Sequence, residues 1–68
     1  MHSANIMNSD RLQRLHKVLR KGKWFSTMEI IKKAGICAVN SAVAELRDNG
    51  FDVVCEQEGR VWYYRLVG

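Results

Sequence analysis

At 68 residues the chain is long enough for one small domain and too short for two, near the size at which a single hydrophobic core barely suffices without staples. Its 47% hydrophobic and 26% charged residues form an ordinary globular balance that excludes an intrinsically disordered chain. Eleven Lys and Arg against seven Asp and Glu leave a formal net charge of +4 and a pI near 9.4, which favours a polyanionic partner.

Residues 1–8 are small and polar around an isolated Ile6-Met7 pair and read as a flexible arm ahead of a domain over residues 9–68. From Ser9, Leu12, Leu15, Val18 and Leu19 recur at spacings of three and four, predicting an amphipathic helix to about Lys21 that Gly22 ends. Its outer face carries Arg11, Arg14, Lys17, Arg20 and Lys21. Lys23-Trp24-Phe25 is a short extended piece, and Ser26-Thr27-Met28-Glu29 matches the Ser-x-x-Glu capping box. The second helix then covers 27–34, with Ile30, Ile31 and Ala34 inward, Lys32 and Lys33 outward, and Gly35 supplying a left-handed end. Val39, Ala42, Val43 and Leu46 set the third helix within 38–49, stopped by Asn49-Gly50. The period then changes to two: Phe51, Val53 and Cys55 on one face, a turn at Gln57-Glu58-Gly59-Arg60, and a second strand from Val61 to Val67. That is a β-hairpin, with Trp62, Tyr64 and Leu66 on one face and Val61, Tyr63, Arg65 and Val67 on the other.

Cys37 and Cys55 lie far apart and the histidines are His2 and His16, so no paired spacing for a metal exists and no metal or other cofactor is expected. The start Met1 to Met7 has neither the basic region nor the apolar run of an export signal, and no membrane-spanning run follows. A cytoplasmic protein is expected, with both thiols reduced and behaving as small apolar residues. In so short a chain, Trp24 and Trp62 are expected to fill the core, while Tyr63 is the aromatic expected on the surface. His16 is expected to be half-buried beside the apolar stripe of the first helix.

The order helix, short strand, capped helix, helix, hairpin resembles the winged helix-turn-helix superfamily, in detail the small winged domains of phages and prophages. The blocks that carry the likeness are Trp24-Phe25-Ser26-Thr27-Met28-Glu29-Ile30, Ala42-Val43-Ala44-Glu45-Leu46-Arg47-Asp48-Asn49-Gly50-Phe51, and Tyr64-Arg65-Leu66. Leu46 and Val43 stand four and seven residues before Gly50, where such domains anchor their third helix. The resemblance implies an α+β fold of three helices and a short three-stranded antiparallel sheet whose hairpin is the wing. It further implies a non-enzymatic partner of double-stranded DNA, a transcriptional regulator or recombination accessory factor. Helix 38–49 would enter the major groove, with Ala38, Asn40, Ser41 and Ala44 at base edges. An Asn amide can both give and take hydrogen bonds at adenine, Ser reaches base or phosphate, and Ala touches a thymine methyl. Phosphates would be met by Lys23, Lys32, Lys33, Arg47, Arg60 and Arg65, which position without specifying. About five such contacts would give a salt slope of roughly −4 to −5. A lone module makes few contacts, which calls for a homodimer or for cooperative loading along the duplex.

Glu45 and Asp48 in the third helix and Glu56 and Glu58 in the hairpin run against a strongly basic contact surface. The carboxylates point away from the duplex, or Glu45 accepts from a cytosine amine, or the surface serves a host protein instead of DNA. Hence the alternative function is a small phage-type protein-interaction module. An enzyme is not expected: the chain has no nucleophile, base and orienter set and no phosphate loop, and no small-molecule ligand is implied.

Overall fold

All three stretches of helical periodicity form helices in the computed structural model, which describes residues 9–68; the arm expected over 1–8 lies outside them. Helix α1, Asp10–Leu19, opens on Ser9, whose Oγ accepts from the Leu12 amide at 3.2 Å. It stops two residues short of Lys21, because the Arg20 amide closes the last turn on the His16 carbonyl and the Gly22 amide on that of Leu19. Helix α2, Thr27–Ala34, has the complete capping box: Glu29 N donates to Ser26 Oγ at 3.2 Å and Ser26 N to a Glu29 carboxylate oxygen at 2.9 Å. Gly35 ends it at φ +66°, a conformation that costs other residues about 1–2 kcal/mol. Helix α3, Val39–Asp48, is one residue shorter at each end than the 38–49 expected, and its N-cap Ala38 offers no side-chain acceptor.

Strands β1, Phe25–Ser26, β2, Val53–Glu58, and β3, Val61–Leu66, form one antiparallel sheet in the order β1-β3-β2, so the fold is α+β as expected. The hairpin is tighter than the four-residue turn expected. Gln57 and Glu58 still pair with Trp62 and Val61, leaving only Gly59 and Arg60 in the loop, with Gly59 at φ +62°.

The core is aliphatic, led by Leu12, Leu15, Leu19, Ile30, Val43 and Leu46, all below 2% exposed, with Phe25, Val53 and Tyr64 supplied by the inner face of the sheet. The helices cover only the base of the hairpin. Burial along β2 falls from Val53 inward of the helices to exposed residues from Cys55 onward. This corrects three expectations. Trp62 shares the inner face with Tyr64 yet is 43% exposed, because it lines an open groove between the hairpin and the starts of α2 and α3 instead of packing under them. Trp24 is 38% exposed on the outer face, where the Arg65 guanidinium lies over its ring at 6.0 Å. Both cysteines are exposed instead of filling space inside. His16 is half-buried, its ring 4.7 Å from that of Phe51, and Tyr63 is half-buried on the outer face.

Candidate functional site

The starts of α2 and α3 and the tip of the hairpin surround an open groove of about 550 Å³. Thr27 and Met28 come from α2, Cys37 to Ser41 from the turn and the start of α3, and Arg60, Val61 and Trp62 from the hairpin. Two side-chain bonds fix this layout. Thr27 Oγ1 donates to the Trp62 carbonyl at 3.3 Å, tying α2 to β3. The Tyr64 hydroxyl donates to Asn40 Oδ1, tying α3 to the same strand. Tyr64 is 4% exposed and held by its pairing with Phe25 and Cys55, so a rigid ring aims the Asn40 amide. With Oδ1 engaged, Asn40 presents chiefly its Nδ2 donors and the second lone pair of the oxygen.

Helical rotation separates the remaining α3 side chains. Val39, Ala42, Val43 and Leu46 are buried, and Ser41, Ala44 and Asp48 lie on the opposite, exposed side. Arg47 turns to the base of the hairpin, where its Nε and Nη2 donate to the Val53 carbonyl at 3.0 and 2.7 Å and Nη2 approaches Cys55 Sγ at 3.9 Å. It is a tether between α3 and β2. Glu45 turns the other way and pairs with Arg11 of α1, both groups partly screened from solvent. Of the four carboxylates that oppose a basic contact surface, Glu45 is therefore directed at a neighbouring helix, while Asp48, Glu56 and Glu58 are exposed.

Of the residues expected at a binding surface, Ala38, Asn40, Ser41 and Arg60 converge on the groove, and Ala44 lies exposed one turn further along α3. The other cations scatter. Lys33 lines a different groove with Arg14, Lys17 and Lys21, Arg65 sits on the outer sheet face over Trp24, and Lys23 and Lys32 are exposed. Sequence reasoning missed Thr27, Met28, Val61, Trp62 and Tyr64 as groove residues. The signal available for Met28, 60% exposed, was a large apolar residue in the first turn after a capping box, off the Ile30 and Ala34 stripe. The Glu29 carboxyl is held below its ordinary value of 4.5, first by the Ser26 backbone amide; desolvation, the next largest effect, opposes this, and the Ser26 hydroxyl and the charge of Lys33 add smaller lowering effects.

Among the described residues no group of three or more His, Cys, Asp or Glu is placed to hold a metal ion, and no helix is long and apolar enough to cross a membrane. Against protein-family models, curated proteins and solved structures, the chain has no match.

Proposed function

We propose that this chain is a winged helix-turn-helix domain that binds double-stranded DNA, with the start of α3 in the major groove and the β2–β3 hairpin as its wing. The observation that carries this reading is the convergence of Ala38, Asn40 and Ser41 with the hairpin residue Arg60 on one open groove. Two features of that groove support it. Asn40 is pre-aimed by Tyr64, and its Nδ2 donors suit the acceptor edges of adenine N7, guanine N7 and O6, or thymine O4. The first turn of α3 has no side-chain cap, and while the Val39 amide donates to the Cys37 carbonyl at 3.1 Å, those of Asn40 and Ser41 are left for a phosphate oxygen beside Arg60. The Glu45–Arg11 pair directs Glu45 away from the duplex and leaves it no role at cytosine, while Asp48, one turn beyond Ala44, shares the exposed side of α3. In this reading the protein is a small phage- or prophage-type regulator or recombination accessory factor of the cytoplasm, acting as two copies on adjacent half-sites.

A fluorescence anisotropy titration with a mixed-sequence duplex of about 25 base pairs, at low and at physiological salt, tests it. Saturable, salt-sensitive binding is expected. Because Arg60 alone of the six candidate cations lines the groove, this face contributes a slope of about −1, not −4 to −5. No binding at about 100 µM protein and low salt would refute the reading, since non-specific binders show themselves there.

A second reading rests on a specific observation: Met28, Val61 and Trp62 are 60%, 42% and 43% exposed around the same groove. Three large apolar side chains beside one cation also offer an anchor for a host-protein segment. Absence of duplex binding in the same titration would favour this reading.

A further inference from the structure

Much of the exposed positive charge lies off the α3 groove. Arg14, Lys17 and Lys21 follow one another at spacings of three and four along α1 and the turn after it, and with Val18 and Lys33 of α2 they line a second groove of about 410 Å³. Two carboxylates outside the lining act on these cations: Asp10, whose Oδ2 is 3.0 Å from Arg14 Nε, and Glu29, whose carboxyl feels the charge of Lys33. Four cations against two carboxylates leave a positive excess. Arg14 is further steadied by the Gly35 carbonyl, 3.4 Å from its Nη1.

The two grooves share no residue. Met28 lines the first and Lys33 the second, and five residues of helix place them about 140° apart round α2. A straight duplex seated at α3 therefore does not reach Lys17 and Lys21. We propose that Arg14, Lys17, Lys21 and Lys33 form a second surface for the phosphate backbone of duplex nucleic acid, so that one chain holds two duplex segments at once. The first segment rests on the DNA reading of the α3 groove. The second surface reads no sequence: it offers point charges and one guanidinium, with no amide or hydroxyl for a base edge. Val18, 7% exposed, is its only apolar member, so it lacks the exposed aromatic or aliphatic anchor that a protein partner requires.

The test uses the full chain, a K17Q/K21Q/K33Q variant and an R60Q variant, with one mixed-sequence duplex tethered to beads and a second carrying a fluorophore. Gln keeps the helix propensity of Lys, and a dispersed amide spectrum checks that each variant is folded. The wild-type chain is expected to retain the fluorescent duplex on the beads, and the triple variant to lose that retention to the level of beads without protein. In 15N amide spectra of the wild-type chain, duplex is expected to shift residues 14–21 and 33 as well as 38–41 and 59–62, and R60Q to lose only the latter set. Shifts confined to 38–41 and 59–62, without capture, would overturn the second surface and leave the DNA reading standing. Shifts confined to 14–21 and 33 would overturn both the α3 reading and the two-duplex proposal. No shift anywhere would do the same. Capture unchanged in the triple variant would assign bridging to some other surface and reject the proposal.

Discussion

Replacing Tyr64 by Phe removes one oxygen and leaves the ring that packs on the core. Tyr64 is 4% exposed, and Phe preserves nearly all of its apolar burial, so the change isolates the hydroxyl bond to Asn40 Oδ1. A neutral hydrogen bond contributes about 0.5–1.5 kcal/mol net. Here the low end applies, because Asn40 is exposed and water can re-solvate its oxygen in the variant. In a domain this small, where 1 kcal/mol moves Tm by about 4–8 °C, a loss near 0.5 kcal/mol corresponds to a fall of about 2–4 °C. The functional consequence is larger in proportion. Freed from Tyr64, the Asn40 side chain must be ordered on binding, at about 0.5–1.5 kcal/mol, so affinity for a preferred duplex falls roughly 2- to 12-fold while affinity for random duplex is unchanged. Thermal unfolding by circular dichroism and paired anisotropy titrations measure the two effects. A Tm unchanged within about 1 °C together with equal affinities on both duplexes would refute the claim that this bond positions Asn40. A fall well beyond 8 °C would show that the hydroxyl stabilises the core itself, contrary to its placement at the groove edge.

Asn40→Ala is expected to weaken binding to a preferred sequence by about 0.5–1.5 kcal/mol, the worth of a single donor contact, while Arg60→Ala weakens preferred and random duplexes alike; equal losses in both variants on both duplexes would remove Asn40 from base reading. Arg47→Ala is expected to lower Tm, since it deletes both bonds to the Val53 carbonyl, and to leave the salt slope of duplex binding unchanged, as a tether and not a phosphate contact should. Ser26→Ala, which removes the acceptor of the capping box, is expected to cost about 0.5–2 kcal/mol in chemical denaturation. Because the Glu29 carboxyl is held below its unfolded value near 4.5, its contribution is fully present above that pH and is lost as pH falls through the lower folded value. An acid titration of stability should accordingly show a component that Glu29→Gln removes. Leu46→Ala, at a fully buried position, is expected to cost about 2–5 kcal/mol, a large part of the roughly 3–10 kcal/mol that a chain of this length commands, and to leave it partly unfolded at 37 °C.

What the sequence by itself determined is the set of features whose physics is local. The Ser26–Glu29 box, the glycine after Ala34 and the Leu12–Leu15–Leu19 stripe act within one or two turns of helix, and each lies where its spacing placed it. The change of period after Gly50 likewise marked the hairpin, and Asn40, Ser41 and Arg60, which only the family resemblance singled out as contact residues, line one groove. The tertiary structure decided every feature set by distance between elements. Trp62 alternates correctly onto the inner face, yet its burial depended on how far the helices reach along the hairpin, which periodicity does not encode. Arg47 and Glu45, two residues apart on one helix, acquired opposite duties because about 200° of rotation points one at the Val53 carbonyl and the other at Arg11. Of the six candidate phosphate contacts, the packing of the elements placed Arg60 at the groove, made Arg47 a tether, set Arg65 over Trp24, put Lys33 in a second groove and left Lys23 and Lys32 exposed, since a charge acquires a partner only once its element has a neighbour.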